Sequence, residues 1–231
     1  MQTKILAAGD VRRIVQQVGF DRLMDEAIER LTTALRSYDP STVHVKVRDG
    51  FAYANPALGL LEWMPILEPG RISIKIVGYH PTNPEVRGIP TILSTVAAFD
   101  STTGHLTGLV DGTFLTALRT GAASAVATRI LASPRSRVLG LIGTGAQAVA
   151  QLHGLSRVLH TPTVLVHDLA PERSRSFPER MAGLLPPDWT VQVASLDEVV
   201  RRADVLCTQT SVEPGKRVDL GGRRVIKTKN S

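Results

Sequence analysis

Val138-Leu-Gly-Leu-Ile142 runs without a break into Gly143-Thr-Gly145-Ala-Gln-Ala148 and then into an apolar stretch of helical period. Glycine at the first position of this loop permits a tight turn. Glycine at the second, Gly145, lets backbone approach a pyrophosphate, and the small residue at the sixth, Ala148, allows the helix to pack on the strand. The helix N-terminus that follows offers N–H groups without intrahelical partners and the positive end of a dipole. Asp168 closes the next strand candidate twenty residues beyond Ala148, where a carboxylate accepts hydrogen bonds from an adenosine ribose. Glycines alone also make a sharp strand-to-helix turn with no ligand. It is the strand before them, the helix after them and the acid beyond that point to a bound dinucleotide. A carboxylate repels a 2′-phosphate, so NAD is expected ahead of NADP, with Arg173 and Arg175 close enough in sequence to weigh the other way.

Outward from this loop the second half of the chain alternates. Val138 to Ile142, Thr163 to Val166, Thr190 to Ala194 and Val205 to Thr208 are short apolar strand candidates, and helical stretches at Ala146 to Leu159, Glu172 to Leu185 and Leu196 to Ala203 lie between them. Continuous apolar runs alternating with helices predict parallel strands buried on both faces. The first half differs. Helical stretches at Asp10 to Val18 and Asp21 to Leu35 precede strands at Val43 to Val47, Leu60 to Leu67, Arg71 to Val77 and Thr91 to Phe99, with a long helix from Thr113 to Leu131. The expected fold class is therefore α/β: a partial Rossmann domain of about four parallel strands, joined to an α+β domain with an antiparallel sheet. The boundaries expected are 1–132, 133–212 and a basic tail over 213–231.

Composition narrows the function classes. At 231 residues, 43% hydrophobic and 21% charged, the chain has globular composition, and no stretch approaches the roughly eighteen apolar residues of a membrane helix. One cysteine, Cys207, excludes an internal disulfide and a cysteine-based metal cluster, and a cytoplasmic setting is expected. The net charge of +6 suggests nucleic acid only until it is located. From Pro214 to Ser231 six basic residues face one acid, so nearly all the excess sits in the tail, and no nucleic-acid or membrane partner is expected.

Read together, Glu62-Trp-Met-Pro65, Ile74-Lys-Ile-Val-Gly-Tyr-His80-Pro81, Thr91, Val110-Asp-Gly112, Leu115-Thr-Ala-Leu-Arg119-Thr-Gly-Ala-Ala-Ser124 and Leu141-Ile-Gly143-Thr-Gly-Ala-Gln147 resemble the ornithine cyclodeaminase/mu-crystallin family. The N-terminal stretch and Ala203-Asp-Val-Leu-Cys-Thr208 resemble its lysine cyclodeaminases most. The resemblance implies a homodimer whose antiparallel sheet binds a small amino-acid substrate while the Rossmann domain binds NAD. It implies conversion of lysine to pipecolate, or ornithine to proline, with release of ammonia. By position, Arg48, Lys75 and Arg119 match a cationic clamp on the substrate carboxylate, and Thr91 matches a hydroxyl that assists it. Glu62, with Lys75, matches a catalytic group near the reacting amine. Gly143, Thr144, Gly145, Ala146, Gln147, Asp168 and Thr208 match cofactor contacts, and no metal is implied. The same family admits an amino-acid dehydrogenase or imine reductase, and a non-catalytic mu-crystallin-like binder of NAD(P)H or a small ligand.

The residues themselves leave other readings open. Lys75 alternates with Ile72, Ile74 and Ile76 and reads, unaided, as the solvent side of an amphipathic strand. Arg119 reads as a solvated helix cation, the glycine–alanine run after it as close helix packing, and Glu62 as an outward strand residue. Lys46 competes with Arg48, and His80 before Pro81 reads as structural. After Val212 the family's Asp-x-x-Gly-Lys motif does not occur. A truncated or frame-shifted reading frame is expected, leaving an exposed edge at the fourth parallel strand.

Overall fold

The computed structural model describes residues 2–208 and 225–227. The chain divides into two compact units, Met1–Phe20 with Ala34–Thr116, and Asp21–Thr33 with Ala117 onward.

The first unit is built on a seven-stranded sheet. Its strands are β1 (Lys4–Leu6), β2 (His44–Val45), β3 (Asp49–Tyr53), β4 (Gly59–Glu68), β5 (Arg71–Tyr79), β6 (Ile92–Asp100) and β7 (Leu106–Asp111), in the order β1-β7-β6-β5-β4-β2 with β3 also on β4. The expected antiparallel sheet is present from β7 to β2. It is a mixed sheet, however, because β1 pairs with β7 in parallel. Three residues at the head of the chain carry too short a pattern to announce their direction. Strands β3 and β7 were not expected from sequence, and β2 shrinks to two residues. Helix α1 (Ala8–Val18) starts where the Asp10 carboxylate accepts the Ala7 N–H at 2.9 Å, and stops at Gly19, whose φ of 86° suits only glycine. Helix α3 (Asn83–Arg87) is a short turn between β5 and β6.

Two longer helices pass from one unit to the other: α2 (Phe20–Arg36) and α4 (Thr113–Leu131). In the first unit Ser94 Oγ, on β6, meets Thr116 Oγ1 on the opening turn of α4 at 2.8 Å.

The second unit carries the parallel sheet, with strands β8 (Val138–Ile142), β9 (Thr163–His167), β10 (Thr190–Val193), β11 (Val205–Thr208) and β12 (Val225–Lys227). Their order is β10-β9-β8-β11-β12, and all pairs are parallel. The four expected strands are there, and the edge expected at the fourth is taken up by β12. Residues 213–231, expected as a basic tail, otherwise lie outside the described residues. Helices α5 (Ala146–Ser156), α6 (Pro171–Met181) and α7 (Leu196–Arg202) connect the strands.

Leu139, Leu141, Val164, Val166, Leu152 and Phe177 form the centre of one core layer at 0% exposure. Helix α4 reaches α5 through glycines. A side chain on Gly121 would come within 2.2 Å of the Ala150 carbonyl oxygen, and one on Gly154 within 2.6 Å of that of Gly121. The glycine–alanine run is thus close helix packing. Arg157, which caps the C-terminus of α5, bonds Asp25 of α2 at 2.7 and 2.8 Å, tying a second helix to it.

Candidate functional site

In the second unit the carboxyl ends of β8, β9 and β11 converge on the glycine loop, where the strand order reverses between β8 and β11. Open α/β sheets bind ligands at such a reversal. Gly143 takes φ 89°, and its N–H bonds the His167 carbonyl at 2.7 Å. Thr144, at 0% exposure, donates both its N–H and its hydroxyl to Asp168 Oδ2, at 2.6 and 2.9 Å. The other carboxylate oxygen, Oδ1, accepts the Ala170 N–H at 3.0 Å. Burial alone raises the Asp168 pKa, but the bonds from Thr144 and Ala170 and the charge of Arg173 outweigh it and leave the group below its ordinary value. Asp168 is therefore ionised and fixed beside the turn. Thr208 ends β11 opposite Ile142, on the other flank of the loop.

Gly145 caps α5 with φ −68° and ψ −164°, a conformation open to any residue. A methyl group added there would meet nothing within 4 Å. Among the described residues nothing demands glycine at this position, and the space in front of it lies at a helix N-terminus. A phosphate oxygen placed there would face helix N-terminal N–H groups. The Gln147 Oε1, buried and accepting no hydrogen bond, is one further polar atom at the same turn. Ala148 is fully buried, as a small residue packing helix on strand should be. Gly140, by contrast, is glycine for internal reasons, since a side chain there would come within 2.8 Å of Val199, Ala203 and Leu206.

Sequence reasoning missed Arg180. It stands on α6 with its guanidinium 5.3 Å from the ring centroid of the buried Phe177, and it donates Nη1 to the Thr144 carbonyl at 2.5 Å and Nη2 to the Gly145 carbonyl at 2.9 Å. Burial, then Arg173, pulls its pKa down from the usual range, and Asp168 pulls it up.

In the first unit, cross-strand partners fix the two faces of the sheet. Met64, Lys75, Val96 and Val110 lie opposite one another on four successive strands, and Glu62 lies opposite Val77. Lys75 and Glu62 therefore share a face as diagonal neighbours, about 7–8 Å apart at the backbone. Arg48, in the link between β2 and β3, reaches Glu62 with Nη1 to Oε2 at 3.6 Å, and the Glu62 side chain is only 14% exposed. Arg48 and Glu62 thus meet on the face that Lys75 shares. Thr91 does not join them there. It sits just outside β6, its carbonyl accepting the His80 N–H at 2.9 Å, and five residues of extended chain separate it from Val96, about 17 Å. His80 also meets Tyr53 Oη at 2.7 Å, in keeping with a structural role. Arg119 is exposed on α4 within the second unit.

Lys75 itself is half-buried, whereas Ile76 on the opposite face is 39% exposed. The alternation of Lys75 with isoleucines does not mark a core side and a solvent side. Ile5, Phe51, Leu61, Leu67, Ile76 and Leu93 are all exposed large apolar side chains, and their register puts them on the isoleucine face.

A parallel sheet in this strand order, with a glycine turn and an acid at its carboxyl end, defines a dinucleotide-binding α/β protein. More particularly, residues 10–215 match the Ornithine cyclodeaminase/mu-crystallin family, and the chain belongs to it. The L-lysine cyclodeaminase of Streptomyces rapamycinicus is 42% identical over 217 residues, covering 93% of this chain and 62% of that protein. A solved lysine cyclodeaminase, described for its recognition of L-lysine, L-ornithine and L-2,4-diamino butyric acid, superposes with a TM-score of 0.87 at 48% identity, over 97% of this chain and 65% of the other. An archaeal alanine dehydrogenase dimer with bound NAD superposes at 0.75 with 30% identity, over 91% and 61%. The chain thus spans under two thirds of the length of each. Among the described residues no helix is long and apolar enough to cross a membrane, and no group of His, Cys, Asp and Glu is placed to hold a metal.

Proposed function

We propose that the chain carries the substrate and dinucleotide sites of an NAD-dependent cyclodeaminase acting on a basic amino acid, lysine or ornithine. The observation that carries this reading is the pairing of Arg48 with Glu62 on the face of the first unit's sheet that also carries half-buried Lys75. Two cations beside a largely buried acid suit an amino acid, which presents a carboxylate and an amine together. In this reading Lys75 and Arg48 hold the substrate carboxylate, and Glu62 takes the proton that the reacting amine gives up. Asp168 and Thr208 receive the cofactor's ribose and nicotinamide sides, while the N–H groups of Gly145, Ala146 and Gln147 receive its pyrophosphate.

NAD when bound supplies a hydride acceptor that later returns the hydride. On the substrate, loss of the α-hydride leaves an imine, the terminal amine adds to that carbon, ammonia departs, and the ring imine regains the hydride. Lysine becomes pipecolate plus ammonia with no net oxidation. One methylene separates lysine from ornithine, and pocket shape decides between them.

The test is incubation of the pure chain with NAD and each amino acid. Pipecolate or proline with equimolar ammonia and no net NADH supports the reading. Accumulating NADH instead identifies a dehydrogenase, as in the alanine dehydrogenase relative. Binding of NADH without turnover of any amino acid identifies a non-catalytic binder. NADH binding stronger than NADPH binding is expected from the ionised Asp168.

We further propose that the chain works as a homodimer in the cytoplasm. The exposed isoleucine face supports the first point, since a contiguous apolar sheet face marks an association surface. The single cysteine, buried and outside any disulfide, suits the second.

A further inference from the structure

The glycine turn is held from behind, and resting on the dinucleotide reading above, we infer that Arg180 is the residue that aims its N–H groups at the cofactor's pyrophosphate. A trans peptide plane points its C=O and N–H in opposite directions. Arg180 grips the carbonyl oxygens of Thr144 and Gly145 at 2.5 and 2.9 Å, so the two N–H groups on the far side of those planes, belonging to Gly145 and Ala146, face away from the guanidinium. Those are the donors at the N-terminus of α5, beside Gly145, where an added Cβ would meet nothing within 4 Å among the described residues.

The same grip has an electrostatic side. Left to rotate, the Thr144 carbonyl would turn its partial negative charge toward an incoming anion. Arg180 fixes it on the opposite side and neutralises it. The fork of a guanidinium can satisfy two neighbouring carbonyls at once, which an ammonium cannot. Arg180 is itself held in place, its guanidinium 5.3 Å from the Phe177 ring centroid, with Phe177 at 0% exposure in the core. Asp168 fixes the other side of the turn through the Thr144 N–H and hydroxyl. The loop is thus clamped from two elements, one clamp serving the ribose end and the other the pyrophosphate end.

The division of labour gives a selective test with the full chain. Affinities for NADH, ADP and adenosine are measured for wild type, Arg180→Met and Arg180→Lys by fluorescence and calorimetry, with circular dichroism to confirm folding. Arg180→Met is expected to weaken ADP and NADH by about tenfold or more while adenosine changes less than about twofold. Arg180→Lys restores the charge but not the fork, and is expected to recover less than half of the loss in free energy. Unchanged ADP affinity in Arg180→Met overturns the inference, as does equal weakening of ADP and adenosine or full recovery by lysine. Wild type that binds neither NADH nor ADP overturns the dinucleotide reading and this inference with it.

Discussion

In the sheet of the second unit Leu139, Leu141, Val164 and Val166 are all at 0% exposure, whereas along β4, β5, β6 and β7 of the first unit only Gly59 and Ser94 are buried. Both sheets are rich in apolar side chains. The parallel sheet is covered by the crossover helices that its own connections require, so it completes its core as it forms. The antiparallel strands β2 to β7 are joined by loops and the one short helix α3, with no crossover helices, and one face of the sheet keeps six large apolar side chains in the open. The glycine loop proposed to receive a dinucleotide is thus backbone set on a finished scaffold. The charged cluster on the other sheet lies on the face opposite its exposed apolar side chains.

The largest expected effect separates ligand space from fold space within one loop. Gly145→Val is expected to cut NADH affinity at least about a hundredfold by filling the pyrophosphate space, with little change in melting temperature, because its φ and ψ tolerate valine and no atom lies within 4 Å. Gly143→Val puts a branched residue at φ 89° and is expected to cost about 1–3 kcal/mol of folding stability. Equal melting temperatures for the two variants would erase the distinction. Next, Ile76→Asp places a charge on the exposed apolar face and is expected to weaken dimerisation about ten- to a hundredfold, measured by light scattering across a dilution series. NADH binding should persist in the resulting monomer if the second unit is as self-sufficient as its burial implies.

A smaller effect belongs to Asp168. Asp168→Asn keeps the shape but sets an amide donor against donors, and about a tenfold loss of NADH affinity is expected, with the margin over NADPH narrowing in titrations of both. Its depressed pKa also has a sign. The stabilisation is fully present above the unfolded value near about 3.9 and is lost as pH falls through the folded one. The acid limb of a melting-temperature profile should therefore flatten in Asp168→Asn.

The two units also differ in how much of them could be read from sequence. The Gly143 turn was legible because the residue pattern switches period there and each glycine has its own mechanical reason. Asp168 followed from spacing. Strand β7 was hidden by Gly108 in its middle, which dilutes the β pattern, and β1 and β12 are three residues each. The environment of Lys75 misled for a deeper reason. Period-two alternation says which residues share a face, but which face is covered depends on other layers. Arg180 left no signal, since a side-chain grip on carbonyls 35 and 36 residues away has no period and no motif.

The smallest effect sharpens the comparison at the helix layer that the second unit has and the first unit's isoleucine face lacks. His153 lies on α5 at 0% exposure, with Nδ1 2.9 Å from the Leu184 carbonyl and Nε2 3.3 Å from Asp21 of α2. Burial lowers its pKa. The Leu184 bond and Asp21 push upward, but Asp21 is 65% exposed and shares its charge with Arg157 at 3.4 Å, while Arg157 itself opposes protonation of the ring. The net direction is downward, so the ring takes up a proton less readily folded than unfolded. A histidine that resists protonation when folded binds fewer protons than the unfolded chain below about 6.5, so stability falls as pH drops through that value. Melting temperature should decline by a few degrees between about pH 7.5 and 5.5. His153→Asn keeps a donor for Leu184 without a titratable ring, and its profile should be flat across the same range apart from what the other histidines contribute. A slope unchanged in His153→Asn would place the proton uptake elsewhere and leave the packing of α5 against α2 indifferent to pH.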